Sequence, residues 1–129
     1  MENWTVKLAD FGIARKCDST LTHYQGTARW MAPEMLSNKA YSCKADIYSF
    51  ALVMWQIIER KHFFEEFQFN SQVEIQVVNH NKRPPFSDKF PQELKDLISA
   101  CWHPDAARRP DATGVLDVIN TFACLRCNK

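Results

Sequence analysis

The sequence has almost no excess of either charge: sixteen Lys and Arg stand against fifteen Asp and Glu, for a formal net charge of +1. A broad basic surface of the kind that draws nucleic acid by its phosphates is therefore excluded, and no nucleic-acid partner is expected. Long apolar runs are also lacking. The longest, Ile47 to Ile58, is interrupted by Ser49 and Gln56 and falls short of the roughly 20 residues that cross a bilayer. It reads as a buried helix, and no membrane span is expected. The opening Met1-Glu2-Asn3-Trp4-Thr5-Val6-Lys7 has neither the basic start nor the apolar core of a secretory signal. The cysteines, Cys17, Cys43, Cys101, Cys124 and Cys127, are odd in number and irregularly spaced. That pattern favours free thiols over a disulfide framework, and a cytoplasmic location. There is no internal repeat and no low-complexity segment.

What is present suits one small domain around one core: 129 residues, 46% of them hydrophobic. Trp4, Val6 and Leu8 alternate with Thr5 and Lys7, which predicts a short strand ending at Ala9-Asp10-Phe11-Gly12, with Gly12 allowing a sharp turn. Ile13 to Arg29 is rich in polar residues without a period and reads as a long loop, a kind of segment that usually has a function. Pro33 suits the first turn of a short helix through Glu34-Met35-Leu36. Asp46 to Arg60 carries the strongest helix signal, with Asp46 expected to cap its start, Arg60 and Lys61 at its end, and apolar residues on nearly every face, so it should be packed all round. Further helices are expected over Ser71 to Val78, over Pro91 to Trp102 with Leu94, Leu97, Ile98 and Cys101 on one stripe, and over Asp111 to Cys124 with Val115, Leu116, Ile119 and Phe122 on one side. Between the first two of these, Pro84 and Pro85 impose an extended connector. Residues 125–129 are expected to fray.

Several short motifs stand in a telling order. Asp10-Phe11-Gly12 alone carries little weight. Twenty-two residues after Asp10, however, comes Ala32-Pro33-Glu34, preceded by Gly26-Thr27-Ala28-Arg29-Trp30-Met31, and Asp46 opens an apolar helix twelve residues beyond Glu34. Cys101-Trp102, Asp105 and Arg109-Pro110 follow. This order resembles the activation segment and helical lobe of the eukaryotic protein kinases, from about Val6 to Phe122. Gly26-Thr27 is similar to the serine/threonine kinases, whereas Asp46-Ile47-Tyr48-Ser49-Phe50 and Cys101-Trp102 look like the tyrosine kinases and their relatives. The combination resembles the tyrosine-kinase-like serine/threonine group.

The resemblance implies a mainly α fold: residues 1–124 as the carboxy-terminal lobe of a kinase domain, with a short strand at the start and four to five helices, and 125–129 as a tail. It implies ATP and Mg²⁺ as cofactors of the intact kinase, with Asp10 as the metal ligand, Phe11 packed beneath the active site and Gly12 letting the segment reorient. Thr27 and Trp30 would shape the site for a protein substrate. Ser19, Thr20, Thr22 and Tyr24 are candidate phosphorylation sites, where a charge near −2 could order the loop. Glu34 and Arg109 would form a mostly buried ion pair, and Asp46 would bond backbone amides of a catalytic loop. Ala51 departs from the glycine most kinases have there.

The chain contains no glycine-rich phosphate loop, no strand lysine paired to a helix glutamate, and no catalytic loop with its base aspartate and metal-binding asparagine. The expectation is therefore a part of a serine/threonine kinase that is inactive by itself, completed by a missing amino-terminal kinase portion. Without a preceding helix to cover it, the central helix should expose apolar surface. The alternative is a pseudokinase or protein-interaction module. A rival zinc site from Cys101, His103, Cys124 and Cys127 is less favoured, because Cys101 falls on an apolar helix stripe and the Cys124–Cys127 pair falls in the tail.

Overall fold

The structure is a computed structural model, and it describes residues 5–14 and 28–127. The organising element is the helix Lys44–Glu59, here α2. Its Ala45, Tyr48, Ala51, Leu52, Met54 and Trp55 are buried, and it packs against Gln92–Cys101, here α4. α4 buries Leu94, Leu97, Ile98 and Cys101, the stripe expected from their three- and four-residue spacing. Each large apolar side chain so buried contributes roughly 1.5–3 kcal/mol.

Smaller elements close the rest of the core. Pro33–Leu36 forms α1, with Pro33 at its start. Asn70–Glu74 forms α3, which widens into a π-helical turn over Ile75–Asn79. Gln72 Oε1 accepts the N–H groups of Gln68 and Phe69, satisfying donors at the entry to α3. Val73 and Val77 are buried four residues apart across the change of pitch. Trp30, Trp55, Phe63, Phe64 and Phe67 meet as an aromatic cluster with mostly edge-to-face contacts. Ala112–Cys127 forms α5 beside α4. Asp111 caps it, Oδ1 accepting the N–H of Gly114 at 2.8 Å.

Some expectations need correction. Residues 5–8 form no strand and lie exposed, and Trp4 is outside the described residues. Alternation supplies only one partner of a ladder, and no described segment supplies the other. Asp46 does not cap α2. The helix starts at Lys44 because the N–H groups of Ala45 and Asp46 bond the carbonyls of Ser42 and Cys43, which leaves Asp46 exposed in the first turn. Pro91 precedes α4 rather than sitting in its first turn. α5 runs through Cys127 instead of fraying from residue 125, and Leu116 on its expected apolar side is exposed. α2 is not packed all round, and it exposes apolar surface as expected of a central helix without its covering helix: Phe50, Val53 and Ile57 are exposed. No helix among the described residues is long and apolar enough to cross a membrane.

Candidate functional site

Arg109 is the most thoroughly engaged side chain among the described residues, at 2% exposure. A short 3-10 turn over Ala106–Arg108 precedes it, capped by Asp105, whose Oδ1 accepts the N–H of Ala107 at 3.0 Å. Arg109 leaves that turn with extended backbone, which the following Pro110 favours, and its side chain enters the core. Nη1 and Nη2 donate to Glu34 Oε1 and Oε2 at 2.7 and 2.9 Å, a bidentate pair spanning 75 residues of sequence. Nε donates to the carbonyl of His103 at 2.8 Å and Nη1 also to that of Lys44 at 2.9 Å. Lys44 returns the contact, its Nζ donating to the carbonyl of Arg109 at 2.6 Å. A guanidinium has five fixed N–H donors, and this arrangement uses its fork on both a carboxylate and backbone carbonyls.

Tyr48 lies under this group. The Arg109 guanidinium carbon sits 5.2 Å from the centre of its ring and that of Arg83 sits 4.9 Å from it. Arg83 is held by Nε to the carbonyl of Trp102 at 3.0 Å and Nη1 to that of Lys82 at 2.8 Å. The Tyr48 hydroxyl and Arg83 Nη2 are buried without a hydrogen-bond partner. Burial pushes the Tyr48 phenol up to about 12, against the opposing pull of the Arg83 and Arg109 charges. Burial likewise pushes the Cys101 thiol up to about 11 and pulls Arg83 below its usual range.

The stretch leading into α1 is fastened to the rest of the fold at three points. Ser49 Oγ donates to the carbonyl of Trp30 at 2.7 Å, the Trp30 ring meets Phe63 edge-on at 4.7 Å, and Arg29 Nη2 donates to the carbonyl of Phe67 at 2.7 Å. Ala28, Met31 and Ala32 are buried. Trp30 is thus tied to α2 and to the aromatic cluster together. Thr27, Ser19, Thr20, Thr22 and Tyr24 lie outside the described residues.

Asp10, Phe11 and Gly12 are in a different condition. Phe11 is 67% exposed and does not pack beneath anything, because no described element lies over it. The sharp turn falls at Asp10, with φ 62° and ψ 67°, and not at Gly12. Aspartate is one of the few residues that tolerate the left-handed region. The next three residues form a single 3-10 turn closed by the Ala14 N–H on the carbonyl of Phe11 at 3.0 Å. The Asp10 carboxylate is exposed, and no group of three potential metal ligands occurs among the described residues. A hard divalent cation takes six or more oxygens, so Asp10 suits one position of a Mg²⁺ shell without forming a cage. His103 Nδ1 accepts the N–H of Asp105 at 3.0 Å and Cys101 is buried, and the two form no metal-binding group with Cys124 among the described residues.

A cleft of about 370 Å³ opens beyond the end of α2, lined by Trp55, Glu59, Phe63, Arg83, Pro85 and Phe86 among others. The Ser87 N–H holds the Glu59 carboxyl below its ordinary range there. None of the candidate site residues named from sequence lines this cleft. Sequence reasoning also missed Tyr48, Arg83 and Lys44 as members of the Arg109 cluster. Tyr48 sits inside an apolar run where an aromatic reads as ordinary core, and both contacts of Lys44 with Arg109 run through a backbone carbonyl, its own or that of Arg109, which no side-chain pattern reports.

The sequence profile of the family described as protein tyrosine and serine/threonine kinase matches residues 1–119. The chain belongs to this kinase family. It is 38% identical over 120 residues to the dual specificity protein kinase shkA of Dictyostelium discoideum, covering 88% of this chain and 23% of that one. With the serine/threonine-protein kinase STY46 of Arabidopsis thaliana it shares 35% identity over 95% of this chain and 21% of the relative. With mitogen-activated protein kinase kinase kinase 7 of Bos taurus the identity is 30%, over 88% and 20%. The chain therefore spans less than a quarter of the length of these curated relatives. Kinases of this family use ATP and Mg²⁺, and the helical architecture here is that of a kinase carboxy-terminal lobe.

Proposed function

We propose that this chain is part of the catalytic domain of a tyrosine-kinase-like serine/threonine kinase, which transfers the γ-phosphoryl group of ATP to protein hydroxyls in intracellular signalling. In this reading the chain supplies the activation segment and the helical lobe, Asp10 supplies one metal-ligand oxygen, and Thr27 and Trp30 border the protein substrate. The observation that carries it is the bidentate Glu34–Arg109 pair, which joins two family motifs 75 residues apart in one buried cluster. The chain contributes a single carboxylate toward Mg²⁺ and none of the groups that hold the ATP phosphates, so alone it should neither bind Mg·ATP tightly nor turn over. Its partners in the reading are protein substrates and the amino-terminal portion of the kinase domain.

The test uses the longer parent polypeptide with Mg·ATP and a mixed protein substrate. Transfer to serine and threonine, lost on Asp10→Ala, is the expected result. A parent without a strand lysine or base aspartate, and inert toward ATP, would favour the second reading: a pseudokinase or protein-interaction module. The exposed apolar side chains of α2 are the specific observation behind that second reading.

A further inference from the structure

Ala28–Trp30 forms a single 3-10 turn, closed by the Met31 N–H on the carbonyl of Ala28 at 3.2 Å. So short a turn does not hold its own place, because fixing its backbone dihedrals costs more than one hydrogen bond returns. What it is tied to decides where it lies. On the α2 side, Ser49 Oγ donates to the carbonyl of Trp30. On the other side the half-buried Arg29 donates from Nη2 to the carbonyl of Phe67, 38 residues away, at 2.7 Å. α3 packs against the same turn.

The carbonyl that Arg29 reaches is itself fixed. The Phe67 N–H donates to the carbonyl of Phe64 at 3.2 Å, and Lys82 Nζ lies 4.8 Å from the centre of the Phe67 ring while it pairs with Glu66 at 3.0 Å. The Lys82 N–H in turn donates to the carbonyl of Gln76, in the π-helical turn after α3, at 2.9 Å. Arg29 therefore joins the 28–30 turn to a braced segment. Its guanidinium makes a charge-assisted bond, about twice as strong as one between neutral groups.

We propose that Arg29 is a positioning residue for the protein substrate. Its bond to Phe67, opposite that of Ser49, clamps the 28–30 turn from two sides and so sets the edge that Trp30 presents to the substrate. This rests on the reading of Trp30 as part of the substrate border, and it names the group that fixes that border. Arg29 acts through Trp30, so its loss should weaken substrate binding and leave ATP binding and phosphoryl transfer as they are. The chemistry of the bond adds a second expectation. The Phe67 carbonyl receives a single nitrogen donor from Arg29, so no planar fork is used there, and a lysine ammonium on its flexible stem can make the same bond. Methionine keeps an apolar stem but has no donor.

Steady-state kinetics of the longer parent polypeptide test this, with Mg·ATP and a pair of protein substrates of opposite charge, dephosphorylated casein and histone. Arg29→Met should raise KM for both proteins about tenfold, as expected for loss of a charge-assisted bond, with kcat and the KM for ATP changed less than about twofold. Arg29→Lys should stay within about threefold of the original KM. An unchanged KM for protein, a fall in kcat instead, or an equal rise in the KM for ATP overturns the proposal. A loss on casein with a gain on histone overturns it as well, by making Arg29 a direct reader of substrate charge. So does a lysine variant as impaired as the methionine one, or a methionine variant whose circular dichroism shows it unfolded, since the bond would then support the fold and not the border. A parent that phosphorylates neither protein overturns the proposal together with the reading it rests on, whereas an active parent with unmoved KM overturns the proposal alone.

Discussion

Arg109 and Asp10 are both charged groups at family motifs, and the fold treats them in opposite ways. Arg109 is withdrawn from water and bonded to a carboxylate and two backbone carbonyls, while its own carbonyl accepts from Lys44. Asp10 is exposed on a left-handed backbone position with no ion pair among the described residues. Taking a charge out of water costs several kcal/mol, and only a complete set of partners offsets that cost. The environment of Arg109 is therefore complete within this chain, and the cluster is part of what holds α1, α2 and the approach to α5 together. An exposed carboxylate incurs no such cost, and its chemistry is left to whatever cation and phosphates meet it.

The largest expected effect would break the Arg109 side of this comparison. Arg109→Ala strands the Glu34 carboxylate and leaves the His103 and Lys44 carbonyls short of a donor, so it should cost about 3–5 kcal/mol. Arg108→Ala, at the exposed neighbouring position, should stay within about 0.5 kcal/mol. Urea titrations of the two variants separate them directly. Equal shifts in midpoint would show that the ion pair is not a structural tie.

The next effect sharpens the comparison by pH. The Tyr48 phenol ordinarily titrates at 10.0 and is raised to about 12 in the fold, chiefly by burial. Above pH 10 the unfolded chain gives up this proton while the folded one keeps it. The folded state then binds more protons, and stability falls as pH rises from 10 to 12. Two units correspond to about 3 kcal/mol across that window. The raised Cys101 thiol acts in the same direction from a lower starting pH, so the Tyr48 part is isolated by difference. Tyr48→Phe should flatten the alkaline decline by that amount and leave neutral stability nearly unchanged, since the hydroxyl it removes has no partner. Identical alkaline melting curves for the two proteins would refute the assignment.

The same contrast explains which parts of the protein could be read before its fold was known. α4 was legible because Leu94, Leu97, Ile98 and Cys101 are buried along one stripe, and one-sided burial writes a periodic pattern into sequence. α2 was legible as a helix, though not in its start, and its bare side was legible only through the family resemblance, which implies a covering helix that the chain does not contain. The start depended on Ser42 and Cys43 carbonyls and on Lys44 meeting Arg109 across 65 residues, which local spacing does not encode. The strand expected at residues 4–8 failed for a related reason: a strand is a property of a pair. Glu34 and Arg109 could be matched only through family motifs, because no periodicity links positions so far apart. Arg83 stayed hidden behind Pro84 and Pro85, which drew attention to the backbone rather than to the side chain stacked on Tyr48.

The smallest expected effect tests the Asp10 side. Asp10→Asn removes a charge that no described group pairs with and keeps the side-chain shape and the tolerance for a left-handed backbone, which asparagine shares with aspartate. Stability should therefore stay within about 0.5 kcal/mol of the original by thermal or urea unfolding. Gly would be the wrong control, since it changes the conformational freedom of the unfolded chain as well as the charge. A loss of 2 kcal/mol or more in Asp10→Asn would mean that the carboxylate is a structural group after all, held by contacts equivalent to those of Arg109. A silent substitution, beside the large loss at Arg109, would place the two motifs on separate physical footings: one maintained by folding free energy, the other by the ligand it is there to meet.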